Sequence, residues 1–401
     1  MEIELKEVKL QTLLTTLGRN PDEQYGFVNP PLYKGSTVVY KTVDDIQNRR
    51  MEFSYGTAGT PTIRNLEDAW SKLSGAAGTV LSPSGLGATA LALFATTKSG
   101  DDILVTDSVY RPTRNFCSGM LSRYGVKTRY YSPGIGSRIE DLIKPETSTI
   151  FLESPGSQSF EIQDVPAIVK VARDRGIKTI IDNTWATPLF FRAHEHGVDI
   201  SVEAGTKYLG GHSDILLGLA SANEATWPAL RATYDAMAML PGADDCILAL
   251  RGLRTMHLRV KEAEARGLAV ARWLRSRPEV SRVLHPALPD FPGHEIWKRD
   301  FSGSTGLFSV ILQPQYGAQD VARMLDQMRI FGLGFSWGGF ESLVIPFNCK
   351  DYRTATQWEP EGAGLRFQIG LEDMEDIMAD LADGLGRLAR SSAPKDVATC
   401  A

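Results

Sequence analysis

The feature that most constrains the fold of this 401-residue chain is an alternation of short apolar runs and helical segments between residues 60 and 250. The runs occupy residues 78–81, 102–106, 149–153 and 178–182, and the helical segments occupy residues 88–97, 114–124 and 165–175. β-Branched runs joined through helices predict right-handed βαβ units and a mostly parallel sheet that is covered on both faces. The sequence therefore predicts a large α/β domain.

The pattern of apolar residues and predicted elements differs on either side of this region. Residues 1–60 offer too few apolar positions to close a core, so we expect an N-terminal arm. Residues 61–252 form the predicted large domain. Residues 253–401 form a predicted smaller α+β domain, and the segment from residue 391 is expected to fray. Within this domain we expect a helix at 261–275, strands at 280–284 and 306–312, a helix at 318–328 and a Gly-rich turn at 332–339.

Polar or small residues follow three of the predicted strands. Asp182 ends one strand, residues 82–87 follow another, and residues 107–110 follow a third. Ligands of parallel sheets bind at the carboxyl ends of the strands. We therefore expect these groups to converge on one edge of the sheet.

Lys207 lies 25 positions after Asp182, in a stretch of small residues that runs from Val202 to Asp214. A buried carboxylate at the end of a strand, together with a lysine in a small-residue loop, suits pyridoxal phosphate (PLP). The lysine would form the Schiff base, and the carboxylate would keep the pyridine nitrogen protonated. This pair predicts an enzyme whose reaction begins at an amino acid Cα.

The segment from Ser84 to Ala90 follows a predicted strand and opens a predicted helix. Small residues there allow backbone N–H groups to approach a phosphate at the positive end of the helix. The segment also fits the dinucleotide pattern Gly-x-Gly-x-x-Ala, with Asp107 seventeen residues beyond Ala90, so a nicotinamide site and a purely structural turn stay open.

Two further side chains have a functional and a structural interpretation. Tyr110 lies just past a strand, where it could stack on a flat cofactor or pack at the rim of the core. Arg366 lies within an alternating strand pattern, and its planar guanidinium could bind a substrate carboxylate or form an internal salt bridge.

Composition excludes several classes of protein. The formal charge of −5 is unlike that of a basic nucleic-acid-binding or membrane-binding surface, and no apolar run approaches the length of a membrane span. The four cysteines form no Cys-x-x-Cys pair, and the N-terminus has no signal-peptide pattern, which predicts a cytoplasmic protein. His194-Glu195-His196 lacks metal-ligand spacing, so no metal is expected.

The stretch from Thr206 to Asp214 resembles the lysine signature of the cysteine/methionine-metabolism PLP enzymes. The resemblance extends from about Tyr55 to Leu388, and it implies the type I, aspartate-aminotransferase-like fold. Several segments are most similar to the β-lyase branch of this family, namely residues 153–157, 285–289, 293–301, 336–343 and 369–373.

The resemblance assigns roles to residues at matching positions. It implies a Schiff base at Lys207, a pyridinium partner at Asp182 and a stacked ring at Tyr110. The remaining implied cofactor contacts are Gly85, Leu86, Thr184 and Thr206, and the implied substrate contacts are Ser336, Trp337 and Arg366. Tyr55 would reach the cofactor phosphate and the substrate in a neighbouring subunit. This makes a dimer the smallest active unit and a tetramer the expected assembly.

The implied activity is carbon–sulfur β-lysis of L-cystathionine or related cysteine S-conjugates. The products would be a thiol such as homocysteine, pyruvate and ammonia, a step toward methionine. A γ-lyase or γ-replacement transferase on the same scaffold is the nearest alternative, and a PLP-binding regulatory protein with vestigial activity is a distant one.

The sequence departs from the family pattern at three places. Thr57 and Ala204 replace an arginine and a serine that contact the phosphate, which predicts weaker PLP binding. The segment after Tyr110 carries Arg111 and Arg114 and no acid. A distal ammonium group, such as that of cystathionine, is therefore expected to find a poor site there.

Overall fold

The computed structural model of the protein describes residues 8–391 and contains two β-sheets. The first has seven strands in the order β1-β7-β6-β5-β4-β2-β3. These strands are β1 (Gly78–Ser82), β2 (Asp102–Thr106), β3 (Lys127–Tyr131), β4 (Thr147–Glu153), β5 (Lys178–Asp182), β6 (Ile200–Ala204) and β7 (Gly218–Ala222). Within this sheet β7 alone runs opposite to the other six strands. The sheet confirms the predicted α/β class and its mostly parallel character.

The second sheet has five strands in the order β10-β11-β12-β9-β8. They are β8 (Val280–Leu284), β9 (Leu307–Leu312), β10 (Gly332–Leu333), β11 (Leu343–Phe347) and β12 (Gly364–Gln368). All neighbouring pairs in it are antiparallel except β10 and β11. This sheet is the α+β part that the sequence predicts after residue 250.

Twelve α-helices surround the sheets in the described part of the chain. They are α1 (Leu10–Thr16), α2 (Val43–Gln47), α3 (Pro61–Ser74), α4 (Gly85–Thr96), α5 (Arg111–Phe116), α6 (Val165–Asp174), α7 (Thr187–Phe190), α8 (Trp227–Met237), α9 (Ala243–Arg275), α10 (His294–Asp300), α11 (Ala318–Leu325) and α12 (Met374–Ser391). The predicted helix at 114–124 begins earlier, at Arg111, and continues as a π-helical turn, Cys117–Leu121.

Both faces of the seven-stranded sheet are apolar and covered. Successive residues of a strand point to opposite faces. Ile103 and Val105 of β2 belong to one buried cluster with helices α4 and α8, whereas Leu104 belongs to another with helices α3, α6 and α9. This double burial explains why the central strands are continuous apolar runs.

Three strands of the large sheet were not predicted. β6 includes Val202–Ala204, which the sequence assigned to the small-residue stretch before Lys207, and β7 has the sequence Gly-Leu-Ala-Ser-Ala. β7 lacks β-branched residues, and β3 lies at an edge with Tyr131 as its one buried residue, so neither is the apolar run of a central strand. Tertiary pairing overrides weak local preference at these places.

The predicted boundary between residues 252 and 253 falls inside the continuous helix α9. The division into an arm and two domains therefore stays a prediction. The first seven residues of the predicted arm, and the predicted frayed tail after residue 391, lie outside the described residues. None of the helices that the structure describes has the length and hydropathy required to cross a membrane.

Candidate active site

A cavity of about 370 Å³ lies at the carboxyl ends of strands β1, β2 and β5, between the two sheets. The predicted residues that line it are Gly85, Leu86, Tyr110, Asp182, Thr184, Thr206, Lys207, Trp337 and Arg366. The predicted convergence of three strand ends is therefore present. Ser336 and Tyr55 are not part of the lining, but Ser336 accepts a hydrogen bond from Lys207, which is, whereas Tyr55 is half-exposed.

Lys207 lies in the turn between β6 and β7. Its backbone N–H donates to the carbonyl oxygen of Ala204 at 3.0 Å, and its side-chain Nζ donates to Ser336 Oγ at 2.8 Å. Gly338 has a φ of 82°, and a Cβ at that position would lie 3.0 Å from the backbone of Lys207. Glycine thus allows the Gly-rich turn to pack directly on the lysine loop.

The environment of Lys207 favours the neutral amine. Burial, followed by the positive charge of Arg366, lowers the pKa of Lys207 from 10.5 to about 8, and the carboxylate of Asp182 opposes this shift. A neutral amine is the nucleophilic and basic form of lysine. The amine is therefore available for chemistry near physiological pH.

Asp182 is held at the end of β5 with one oxygen occupied. Both the backbone N–H and the hydroxyl of Thr184 donate to its Oδ1, at 3.0 and 2.6 Å. Burial raises the pKa of Asp182, and the two bonds from Thr184 lower it. Oδ2 has no hydrogen-bond donor among the described residues. It can therefore accept a hydrogen bond from the protonated ring nitrogen of a ligand.

Helix α4 begins at the wall of the cavity. The Ser84 side chain accepts from the N–H of Gly87 at 3.1 Å, and its carbonyl accepts from the N–H of Ala88. The N–H groups of Gly85 and Leu86 have no partner within the helix, as is usual for a first turn. A Cβ on Gly85 would lie only 2.7 Å from that of Ala204, so this position requires glycine. The arrangement suits a phosphate at the helix N-terminus.

Tyr110 lies at the start of helix α5 and lines the cavity with a half-exposed ring. Its backbone N–H donates to Glu153 Oε2 at 2.7 Å. Glu153 was not predicted as a site residue. It ends β4 beside Asp182, and burial together with the charge of Asp182 raises its pKa well above the usual range. The available signal was the one used for Asp182, an acidic residue that ends an apolar strand.

Glu203 is a second carboxyl group that the sequence analysis missed. It lies on β6, is 2% exposed, and accepts hydrogen bonds from Ser201 and Trp70 at 2.5 and 3.3 Å. Burial raises the pKa of Glu203 to about 7. Glu203 also lies near the end of a strand, but β6 was not predicted as a strand, so this position was not recognised. Glu203 lines the cavity close to the strand position of Asp182.

Arg366 is a buried cation without a carboxylate partner among the described residues. Its Nη2 donates to the carbonyl oxygens of Phe335 and Ser336 at 2.6 and 3.2 Å, and its Nε has no acceptor. Burial lowers its pKa to about 10. The internal salt bridge that the sequence left open is therefore absent from the described residues. A buried guanidinium that lines a cavity suits an anionic ligand group.

Neither arginine that follows Tyr110 lines the cavity. Arg114 is 5% exposed, pairs with Asp107 at 2.5 Å and lies 3.5 Å from the ring centre of Tyr130, while Arg111 lies over the ring of Tyr352. The two charges therefore lie outside the wall of the cavity, and the expectation of a poor site for a distal ammonium group stays a prediction. The charge of Arg114 is neutralised by Asp107, and the residues between the two arginines, Pro112 and Thr113, form the wall.

The residues present fit PLP. Asp182 offers a free oxygen for the pyridine nitrogen, the first turn of α4 offers N–H groups to a phosphate, and Lys207 offers an amine whose pKa is lowered to about 8. A dinucleotide fits less well. In a dinucleotide fold the strands around the glycine loop are neighbours, whereas four strands separate β1 from β2 here.

Comparison with known proteins agrees with a PLP site and extends over nearly the whole chain. Residues 11–386 match the family model described as Cys/Met metabolism PLP-dependent enzyme. A putative cystathionine beta-lyase of Saccharomyces cerevisiae is 63% identical over 84% of this chain and 98% of its own length. Cystathionine beta-lyase MetC of Escherichia coli is 40% identical over 96% of this chain and all of its own. The crystal structure of metB from Corynebacterium glutamicum superimposes with a TM-score of 0.90 and 28% identity, covering 96% of this chain and 100% of that one.

Proposed function

The chain belongs to the Cys/Met metabolism PLP-dependent enzyme family, and we propose that it is a carbon–sulfur β-lyase acting on L-cystathionine or related cysteine S-conjugates. Two relatives that are 63% and 40% identical bear the name cystathionine beta-lyase. The observation that carries the proposal is the meeting of Lys207 and Arg366 in one cavity. They come from different sheets, and Arg366 has no acidic partner among the described residues.

Arg366 and Lys207 have different roles toward the substrate, which are binding of its carboxylate and transfer of its Cα proton. Arg366 binds the α-carboxylate of the amino acid, and its guanidinium fork fixes the orientation of the Cα–H bond. The amine of Lys207, whose pKa is lowered to about 8, then takes the proton from Cα. Ser336 Oγ, at 2.8 Å from Nζ, holds the amine on the side of the cavity that faces Arg366.

Bound PLP supplies an electron sink that stabilises negative charge at Cα. Asp182 maintains this sink, because its free Oδ2 keeps the ring nitrogen protonated. Tyr110, whose backbone N–H is held by Glu153, would cover the ring. The N–H groups of Gly85 and Leu86 would hold the phosphate.

Cleavage of the Cβ–S bond completes the reaction. The electron pair left at Cα forms the Cα–Cβ double bond, and the sulfur leaves as a thiolate that takes a proton. Addition of water then releases ammonia and pyruvate. L-Cystathionine and water thus give homocysteine, pyruvate and ammonia.

A product-resolved assay tests this function. The purified holoenzyme is incubated with L-cystathionine, and keto acids are separated by chromatography. Pyruvate supports the β route, whereas 2-oxobutyrate identifies the γ-lyase alternative. Absence of any turnover by an enzyme that binds PLP supports the vestigial regulatory protein.

A homo-oligomer, with a dimer as its smallest active unit and a tetramer as the complete assembly, is part of the proposal. The N-terminal segment exposes large apolar side chains that a soluble monomer would leave in water, namely Tyr25, Phe27, Val28, Tyr33, Val39, Val43, Ile46 and Tyr55. Packing against a second copy of the chain would bury these side chains and would place Tyr55 beside the cavity of that second copy. Light scattering tests the assembly, and a monomer would contradict it.

A cytoplasmic location is also proposed. The three described cysteines, Cys117, Cys246 and Cys349, are free and buried. Free thiols suit a reducing compartment. Cell fractionation with an antibody against the chain tests the location.

A further inference from the structure

The segment that connects β11 and β12 crosses from the small sheet to the large one. β12 carries Arg366, and β11 is its neighbour. Residues 353–356 of this connection, here named the strap, lie against two loops that line the cavity. One loop follows β2 and leads to Tyr110, and the other follows β4 and contains Gly156 to Phe160.

Asp107 holds the strap to the first loop. Its carboxylate accepts from the backbone N–H groups of Thr354, Ala355 and Thr356 at 3.0, 3.0 and 2.7 Å, and from the hydroxyl of Thr356 at 2.6 Å. Three successive N–H groups that converge on one anion form a nest. Asp107 is fully buried, and hydrogen bonding lowers its pKa.

Glu161 holds the strap to the second loop. Its two carboxylate oxygens accept from Arg353 Nη1 and Nη2 at 3.1 and 2.6 Å. Ser159 accepts from the same guanidinium at 2.5 Å, and the backbone carbonyl of Glu161 accepts from the N–H of Gly156. Tyr352, next to the strap, lies under Arg111 of helix α5.

We propose that Asp107 is a positioning residue for substrate binding, because it ties the connection that leads into the strand of Arg366 to the loop that carries Tyr110. Glu161 is the second anchor of the same strap. The ring-stacking tyrosine and the carboxylate-binding arginine come from different sheets, so their spacing depends on contacts between those sheets. The anchors fix this spacing at a distance from the reacting atoms. This inference rests on the proposed role of Arg366.

A matched pair of variants separates positioning from stability. Thr356→Val removes the hydroxyl donor to Asp107 and keeps the shape of the side chain, and Thr356→Ser restores the donor. Thr354→Val is the control, because Thr354 reaches Asp107 through its backbone N–H alone. Asp107→Asn is a stronger perturbation, but it also leaves Arg114 buried without its partner.

The readout is the dissociation constant of holoenzyme for L-alanine and for ethylamine, measured from the absorbance change of the bound cofactor. These ligands differ by the α-carboxylate. Thr356→Val is expected to weaken L-alanine binding about 3- to 30-fold and to leave ethylamine binding unchanged. Thr356→Ser and Thr354→Val are expected to bind both ligands as the wild type does. Equal weakening for both ligands in Thr356→Val, or no weakening, overturns the proposal.

A double-mutant cycle tests whether the strap acts through Arg366. In an Arg366→Lys background, Thr356→Val is expected to add little further loss of L-alanine affinity. Full additivity overturns the proposal. Because these measurements follow binding of an amino acid that cannot undergo β-elimination of a thiol, they do not depend on which keto acid the enzyme makes. A wild type that releases 2-oxobutyrate contradicts the β-lyase function and leaves this test intact.

Discussion

Lys207 Nζ donates a hydrogen bond of 2.8 Å to Ser336 Oγ. The bond joins the lysine turn of the large sheet to the Gly-rich turn of the small sheet. Arg366 approaches the same turn and donates to the carbonyl oxygen of Ser336. Lys207, the proposed reactive amine, and Arg366, the proposed carboxylate-binding cation, thus both contact Ser336, so the cavity is complete only when the two sheets are packed together.

Arg366→Lys is expected to lower kcat/KM for L-cystathionine roughly 30- to 1,000-fold, which corresponds to a loss of about 2–4 kcal/mol in transition-state stabilisation. Lysine keeps the charge but loses the fork that reaches both Phe335 and Ser336 and the substrate. Steady-state kinetics checks the effect, with most of the loss in KM. Arg329→Lys, an exposed arginine of the same part of the chain, is the control. Equal kinetics of the two variants would refute the assignment.

The rate at which apoenzyme combines with PLP is expected to follow the neutral fraction of Lys207. Its pKa is lowered to about 8, so the amine is protonated below that pH and neutral above it. The second-order rate constant should rise about tenfold per pH unit up to about pH 8 and then level off. Stopped-flow absorbance measures it. A rate that keeps rising toward pH 10.5 would mean that the lysine is not perturbed.

Asp182→Asn is expected to separate stability from activity. Burial raises the pKa of Asp182, so its carboxylate costs native-state stability at pH 7, and this cost disappears as the pH falls through the raised pKa. The apo variant should therefore melt higher than apo wild type at pH 7 and equally at low pH. Its kcat should fall about 10²- to 10³-fold, because the ring nitrogen loses its anionic partner. Calorimetry and kinetics test the pair, and a variant that retains full turnover would rule out this role.

Ala204→Ser is expected to tighten PLP binding about three- to tenfold. Ala204 lines the cavity next to Gly85, at the start of helix α4, where a hydroxyl would add a donor to the phosphate. Fluorescence titration of the apoenzyme measures the dissociation constant, and Ala225→Ser on an exposed turn is the control. PLP binding by Ala204→Ser that is unchanged or weaker than that of the wild type would show that Ala204 does not weaken PLP binding.

The cavity-lining residues to which we assign the chemistry were predictable because they end apolar strands or follow them. Asp182 closes the run of β5, and Tyr110 follows β2, so an elementary rule about parallel sheets brings both to one edge. Lys207 was found from the small residues around it, although the strand before it was not.

The contacts that position these residues were not predictable from local pattern. Asp107 binds a strap 247 residues away, and its sequence neighbourhood gives no sign of that partner. Asp107 also pairs with Arg114, and this buried pair keeps the arginine out of the cavity wall. Glu203 was missed because β6 is short and polar in part. The contact of Asp107 with the strap and the pairing of β6 with its neighbouring strands join segments that are distant in the sequence, so local pattern does not reveal them.

The most direct test of the central claim follows each half of the substrate. L-Cystathionine carrying ¹³C in its three-carbon half is incubated with holoenzyme, and the products are identified by carbon NMR, with Lys207→Ala as the control. We expect the label to appear in pyruvate, unlabelled homocysteine and ammonia to form in equal amounts, and Lys207→Ala to make none of these products. Label in cysteine, together with unlabelled 2-oxobutyrate, would contradict it.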